Sequence, residues 1–190
     1  YRLRPNKFVD RELFAELVSL LVAARGADNY AYISMGGGHL SDHLAMYRRA
    51  GIRNLYAFDS NPKIVDRQRF NAPFNGIACE AHYSSELPSR IDQIVQDMGA
   101  EHVIVWLDYT EPRHLAQLGE VQALSRDLQI GDVLRVTMNV EFETLHKNEA
   151  QLNKREKSLP IDEKRAALLK TVLSAFLPRH ISRIGNDGLA

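Results

Sequence analysis

Residues 32–71 decide the fold, and they read YISMGGGHLSDHLAMYRRAGIRNLYAFDSNPKIVDRQRFN. An apolar run at residues 30–33 leads directly into three consecutive glycines at positions 36–38, and a helical pattern follows. Glycines placed after a buried strand let the backbone turn sharply and approach a ligand without an intervening side chain. The N–H groups at the start of the next helix then point towards that ligand. This pattern predicts a nucleotide-type cofactor site.

The second half of the stretch adds an acidic residue at the end of the next predicted strand. Asp59 follows the apolar run 55–58 and lies twenty-three positions after Gly36. A dinucleotide-type βαβ unit carries an acidic residue at about this spacing, where it holds ribose hydroxyls. Asn61 and Pro62 then supply an N-cap and a proline at the first helical position. We expect Asp59 to bind a ribose, with capping of the following helix as the alternative.

Strands and helices alternate along the chain. The patterns predict strands at residues 30–33, 52–58, 75–82, 102–107 and 133–140, and helices at 6–24, 39–50, 62–71, 88–98, 115–124 and 163–176. The run at 102–107 is apolar throughout, as expected of a strand buried on both faces. The alternation predicts an α/β fold: a Rossmann-like, mostly parallel sheet with helices on both faces.

Length and composition predict one domain. We expect residues 1–140 to form a cofactor-binding core and residues 141–190 a charged helical extension of the same domain. Lys and Arg together number 24, as do Asp and Glu, so no overall charge draws the chain to nucleic acid or to a membrane. The single cysteine, Cys79, excludes an intrachain disulfide and favours a reducing compartment, so we expect a cytoplasmic protein. Because the chain begins with Tyr1 and not with Met, a trimmed piece of a longer protein is an alternative.

The glycine turn, the acidic end of the second strand and Asp108 at the end of the fourth resemble the class I S-adenosylmethionine-dependent methyltransferases. Over about residues 1–140 the chain is similar in particular to bacterial O-methyltransferases. The family's first motif runs acid-x-Gly-x-Gly, and residues 34–38 read Ser-Met-Gly-Gly-Gly. The resemblance implies S-adenosylmethionine as the cofactor. The cofactor-binding residues that it implies are Ser34, Gly36, Gly37, Gly38, Asp59 and Ser60.

The resemblance also places Asp108 and Tyr109 where the fourth motif faces the transferred methyl group. Asp108 is the predicted general base or an acceptor that orients the substrate, and capping of the following loop is its alternative role. Tyr109 is the second predicted catalytic residue, with packing as its alternative. The fourth motif is not Asn-Pro-Pro-Tyr or Asp-Pro-Pro-Tyr, so methylation of amino groups on DNA bases gains no support. The acceptor stays open among small molecules, proteins and nucleic acids.

Two features of the glycine region leave other functions open, and Leu40 stands where the family often has a third glycine. Ser34 replaces the usual acidic residue, which allows a regulatory module that binds S-adenosylmethionine without catalysis. The nicotinamide motif Gly-x-Gly-x-x-Gly is incomplete because position 41 is Ser, so an oxidoreductase is a weaker alternative. Strands that complete a typical seven-stranded sheet are not visible in the sequence, so they lie beyond Ala190 or the fold is shortened.

Two further groups of residues allow both a structural and a functional interpretation. His39 and His43 lie four apart and superficially match an inverted zinc motif, but the glycine turn before them favours a helix start beside a cofactor. Arg2, Arg4 and Lys7 form a basic cluster at the amino terminus. Its simple reading is a solvated terminus, and its functional reading is an arm over an anionic ligand.

Overall fold

The computed structural model describes residues 5–72, 76–110, 114–138, 154, 156–160, 163–164 and 166–167. Five strands alternate with helices in chain order: α1 Pro5–Arg25, β1 Tyr30–Ser34, α2 Ser41–Ala45, β2 Asn54–Asp59, α3 Pro62–Asn71, β3 Ile77–Ala81, α4 Leu87–Asp97, β4 His102–Asp108, α5 His114–Asp127 and β5 Val133–Thr137. A π-helical turn, Met46–Ala50, continues α2. The strands form one parallel sheet in the order β3-β2-β1-β4-β5. The predicted α/β, Rossmann-like fold is therefore confirmed.

One face of the sheet is covered by α1, α2 and α3. Alternate strand residues point into this layer, and α1 contributes the buried residues Phe14, Val18 and Val22. The guanidinium of Arg135 on β5 lies 4.0 Å from the ring centroid of Trp106, within the same layer. This packing buries one side of α1 against the sheet, while other apolar residues of the helix, Leu13, Leu17 and Leu20 among them, stay exposed.

The other face of the sheet lies against α4. Ile91 and Val95 of α4 line one cavity together with Val103 of β4. Ile104 and Trp106 of β4 face the α1 layer. The residues that alternate with them, Val103, Val105 and Leu107, lie on the opposite face and are buried as well. The strand β4 is thus enclosed on both sides, which accounts for its continuous apolar sequence.

The boundaries of several elements differ from the sequence predictions: β2 begins at Asn54 and not at residue 52, and α5 continues to Asp127 and not only to residue 124. β3 is shorter than residues 75–82, and β5 is described only to Thr137, with residues 139 and 140 outside the described part. The second helix begins at Ser41 and not at His39, because Leu40 adopts a left-handed backbone with φ 51°. The predicted helix at 163–176 lies largely outside the described residues.

Two compact units divide the chain. The first comprises residues 1–108 and 124–137, and the second comprises residues 109–123 and 138–190. The predicted division at residue 140, with the extension part of the same domain, stays a prediction. Among the described residues, none of the helices has both the length and the apolar character to cross a membrane.

Candidate functional site

The strand order predicts a ligand crevice at the carboxyl ends of β1 and β4. The order of connections reverses between these two neighbouring strands, and open α/β sheets bind ligands at such a switch point. Ser34 ends β1 opposite Trp106, two residues before Asp108 ends β4. The predicted glycine turn and the predicted base therefore follow adjacent strands at the same edge of the sheet.

The three glycines differ in what they do. Gly36 and Gly37 have positive φ values of 66° and 50°, which side chains rarely adopt. A Cβ added to Gly36 would lie 2.8 Å from Cε1 of His43, so this glycine is needed for close packing of the turn itself. A Cβ on Gly37 meets nothing within 4 Å, and one on Gly38 would only touch the Cβ of Arg67 at 3.4 Å. The open side of the turn is therefore at Gly37.

Side chains of α3 hold the glycine turn from behind. Gln68 is fully buried and its Nε2 donates a 2.8 Å hydrogen bond to the carbonyl of Met35. Asn71 Nδ2 donates a 2.7 Å hydrogen bond to the carbonyl of Gly38. The Oε1 atom of Gln68 is buried and accepts no hydrogen bond within the described part of the chain. The turn is thus fixed in one conformation before any ligand binds, and a buried acceptor oxygen lies next to it.

A buried carboxylate from α2 lies beneath the same turn. Asp42 accepts a 2.9 Å hydrogen bond from the hydroxyl of Tyr32 and a short one from the hydroxyl of Ser34. Ser34 Oγ in turn accepts a 3.0 Å hydrogen bond from the N–H of Gly36. Residue 34 at the end of β1 is not acidic, but the carboxylate of Asp42 from α2 lies beside it in the folded chain. The sequence signal for it was the motif at residues 39–43, which we weighed as a metal site and interpreted as a helix start beside a cofactor.

His43 completes this network. Its Nε2 lies 2.9 Å from the carbonyl of Tyr56 and must donate to it, because a carbonyl only accepts. Its Nδ1 lies 3.3 Å from Asp42 Oδ1, so the two side chains are in direct contact. Asp42 and His43 therefore belong to one buried cluster beneath the turn. No group of three metal-ligating side chains occurs among the described residues, and His43 is occupied by this cluster.

The pKa of Asp42 lies below its ordinary value. Burial alone would raise it, but the charge of His43 and the hydrogen bonds from His43, Ser34 and Tyr32 outweigh that effect. The Asp42 side chain keeps 12% of its exposure, while that of His43 has none. The turn is therefore underlain by a carboxylate that stays ionised.

Asp59 lies at the carboxyl end of β2, as predicted. Its Oδ1 accepts a 2.8 Å hydrogen bond from the N–H of Asn61, whose own Oδ1 accepts the N–H of Lys63 at 3.0 Å. Asp59 is half-buried and the following Ser60 is exposed. The structure thus shows the predicted N-cap at Asn61 and a local role for one oxygen of Asp59. Binding of a ribose by Asp59 and Ser60 stays a prediction.

Asp108 forms an ion pair that sequence reasoning missed. Lys7 Nζ on α1 lies 2.9 Å from Asp108 Oδ2 and 3.3 Å from Oδ1. The only sequence signal was the basic cluster at the amino terminus. Arg2 and Arg4 of that cluster lie outside the described residues. Tyr109 is buried, and its hydroxyl donates a 2.6 Å hydrogen bond to Glu120 Oε2 in α5.

A buried histidine at the end of β3 was also missed. The ring of His82 stacks on Phe58, with 4.5 Å between ring centroids, and its Nε2 lies 3.0 Å from the hydroxyl of Tyr56. Its backbone N–H donates to the carbonyl of Asp59. The sequence placed His82 at a strand end but offered no partner for it.

A cavity of about 260 Å³ lies at the opposite edge of the sheet. It opens at the amino ends of β4 and β5, where His102 and Asp132 line it. None of the predicted site residues lines it. The candidate site is therefore the crevice at the carboxyl ends of the strands.

Comparison with known families gives one match. The sequence model of a family described as "Putative O-methyltransferase" matches residues 1–188, which is nearly the whole chain. A search of curated proteins finds no match.

Proposed function

Since the chain belongs to the O-methyltransferase family whose model matches residues 1–188, we propose that it transfers a methyl group from S-adenosylmethionine to an oxygen of an acceptor. The observation that carries the proposal is the set of residues at the switch point of the sheet. It combines the fixed glycine turn after β1 with carboxylates at the ends of β2 and β4. When bound, the cofactor supplies a methyl group on a positively charged sulfur.

The residues at the crevice fit this cofactor. A Cβ at Gly37 would meet open space, so the turn leaves room for a ligand on that side. The carboxylate of Asp42 lies directly beneath the turn and supplies the negative charge that suits an ammonium group, although Ser34 replaces the family's acidic residue. We propose that Ser34, Gly36, Gly37 and Gly38 line the methionine portion.

Asp59 and Ser60 are proposed to bind the ribose. One oxygen of Asp59 is engaged by the N–H of Asn61, which orients the carboxylate at the end of β2. A carboxylate held this way accepts hydrogen bonds from two neighbouring hydroxyls well. Ser60 is exposed at the same strand end and adds a further hydroxyl.

Asp108 is the proposed catalytic residue of the reaction. Methyl transfer is an in-line displacement, so the protein contributes mainly alignment of the two reactants and exclusion of water. An acceptor hydroxyl must also lose its proton, and Asp108 is the carboxylate at the end of β4 that can take it. Tyr109 is proposed as a second residue at this end of the strand, although its hydroxyl already donates to Glu120.

Binding and transfer measurements test the proposal. Calorimetry should show that S-adenosylmethionine binds the wild-type chain and binds Asp59→Asn at least about tenfold more weakly, because one charged acceptor is lost. Asn61→Ala is the matched control, since it perturbs the same strand end without removing the carboxylate. Failure of the wild-type chain to bind would refute the proposal.

A second measurement separates an enzyme from a binding module. Transfer of label from the donor to a mixture of small-molecule, protein and RNA acceptors should occur with the wild-type chain. It should disappear in Asp108→Ala while cofactor binding persists. Binding without any transfer would instead support the regulatory module.

We propose a cytoplasmic location, consistent with the lone buried thiol of Cys79.

A further inference from the structure

The ion pair between Lys7 and Asp108 joins the start of α1 to the end of β4. The ammonium of Lys7 contacts both carboxylate oxygens, at 2.9 and 3.3 Å, across 101 positions of the chain. Both side chains keep about a third of their exposure, at 32% and 28%. The pair therefore faces solvent at the end of the strand that carries the proposed base.

Fold stability is a weak reason for this pair. Ion pairs at such exposure contribute little, because solvent and salt screen them. The helix α1 is already anchored by its buried residues Phe14, Val18 and Val22. An ion pair between Asp10 and Arg135 adds a second tether to the same side of the sheet. The position of Lys7 at the carboxylate thus calls for a chemical explanation.

The chemistry of the pair restricts the acceptor. Carboxylic acids ionise near pH 4, phenols near pH 10 and water only near 15.7, so a carboxylate is a poor base for an alkyl alcohol. An ammonium beside the carboxylate favours any acceptor oxygen that carries negative charge. The same ammonium repels a protonated amine. The pair therefore suits an acidic hydroxyl better than an alkyl alcohol or an amine.

We propose that Lys7 binds the acceptor oxygen as an oxyanion, so that the acceptor of this chain is an acidic hydroxyl of the phenol class. This inference rests on the proposed methyl transfer. The hydroxyl gives its proton to Asp108, and the resulting oxyanion is held by the ammonium of Lys7. An oxygen lone pair then forms the bond to the methyl carbon while the carbon–sulfur bond breaks, and its electron pair stays on sulfur. The products are a neutral ether and a neutral thioether, and Asp108 later releases its proton to solvent.

The first test measures binding of a phenolate probe. We would titrate 4-nitrophenol into the full chain with S-adenosylhomocysteine present and follow phenolate absorbance. Lys7→Met should weaken phenolate binding at least about tenfold, because one charge-assisted contact is lost. Lys7→Arg should keep most of the affinity. Lys157→Met removes an exposed lysine elsewhere in the chain and should leave phenolate binding unchanged.

The second test is the pH profile of methyl transfer. With labelled donor, 4-nitrophenol should be methylated and benzyl alcohol and benzylamine should not. In Lys7→Met the activity should move to higher pH, because the bound hydroxyl ionises less readily without the ammonium. A purely structural role of Lys7 would lower activity at every pH without moving the profile. Urea midpoints of Lys7→Met and Lys157→Met would show that both variants are folded.

Three outcomes would overturn the inference. They are equal phenolate affinity in wild type and Lys7→Met, methylation of benzyl alcohol as fast as 4-nitrophenol, and no binding of the probe at all. Calorimetry with S-adenosylmethionine keeps the two proposals apart. A chain that binds the donor but shows no dependence on Lys7 loses only this inference. A chain that binds phenolate through Lys7 but does not bind the donor loses the proposed function and keeps the oxyanion site.

Discussion

Replacing Asp42 with alanine removes the carboxylate that joins Tyr32, Ser34 and His43 beneath the glycine turn. All three partners are buried, so two hydroxyls would lose their common acceptor and the ring of His43 would lose a neighbour. Each buried donor left without an acceptor costs about 1–3 kcal/mol, so the loss of two should cost about 2–6 kcal/mol. Asp42→Asn keeps an acceptor oxygen for the two hydroxyls, so its cost should be about 1–3 kcal/mol.

Urea unfolding provides the assay. Trp106 is the one tryptophan of the sequence and is buried, so its fluorescence reports unfolding of the sheet. At pH 7 we expect the order wild type, Asp42→Asn, Asp42→Ala in decreasing free energy of unfolding. An Asp42→Ala cost below about 1 kcal/mol, the level of an ordinary exposed ion pair, would refute the buried network.

The same variants predict a pH dependence. The pKa of Asp42 is lowered on folding, because His43, Ser34 and Tyr32 outweigh the opposing effect of burial. Such a group stabilises the fold fully above its unfolded-state pKa of about 3.9, and the stabilisation is lost as the pH falls below that value. The stability difference between wild type and Asp42→Asn should therefore shrink between about pH 5 and pH 2. A difference that stays constant over this range would contradict the lowered pKa.

Other substitutions test neighbouring parts of the site by the same unfolding assay. Gly36→Ala should lower the free energy of unfolding by about 1–3 kcal/mol more than Gly37→Ala does. Both changes put a side chain on a residue with positive φ, but only the Cβ at position 36 would meet occupied space. Equal losses would contradict the packing of the turn. Tyr109→Phe should cost about 1–3 kcal/mol through loss of the hydrogen bond to Glu120; an unchanged midpoint would argue against that hydrogen bond. Asn61→Ala should cost about 1 kcal/mol as a lost N-cap, and an unchanged midpoint would argue against the cap.

The sequence by itself was sufficient for the fold class. Apolar runs of strand length alternate with amphipathic helices, and burial imposes that periodicity locally, so each strand could be recognised without its neighbours. Glycines and prolines mark the turns for the same local reason, as the helix start at Asn61 and Pro62 shows. The predicted positions of Gly36, Asp59 and Asp108 at strand ends are also observed in the structure.

Local boundaries were less predictable where packing overrides propensity. Leu40 fits a helical pattern by hydrophobicity, yet it takes a left-handed conformation and ends the turn before α2. Its side chain is fully buried, and burial stabilises a backbone that an isolated leucine avoids. Propensity alone therefore placed the helix start two residues too early.

The partners within the site were decided by tertiary structure alone. Asp42 reaches Ser34 because α2 returns across the end of β1, so a carboxylate missing from one position in sequence is supplied from another in space. Lys7 meets Asp108 because the strand order brings β4 beside β1 and beneath the start of α1. Contacts between residues far apart in sequence depend on strand order and helix packing, which a periodic pattern does not encode. The glycine turn could be recognised from the sequence, but only folding brings the charged side chains together around it.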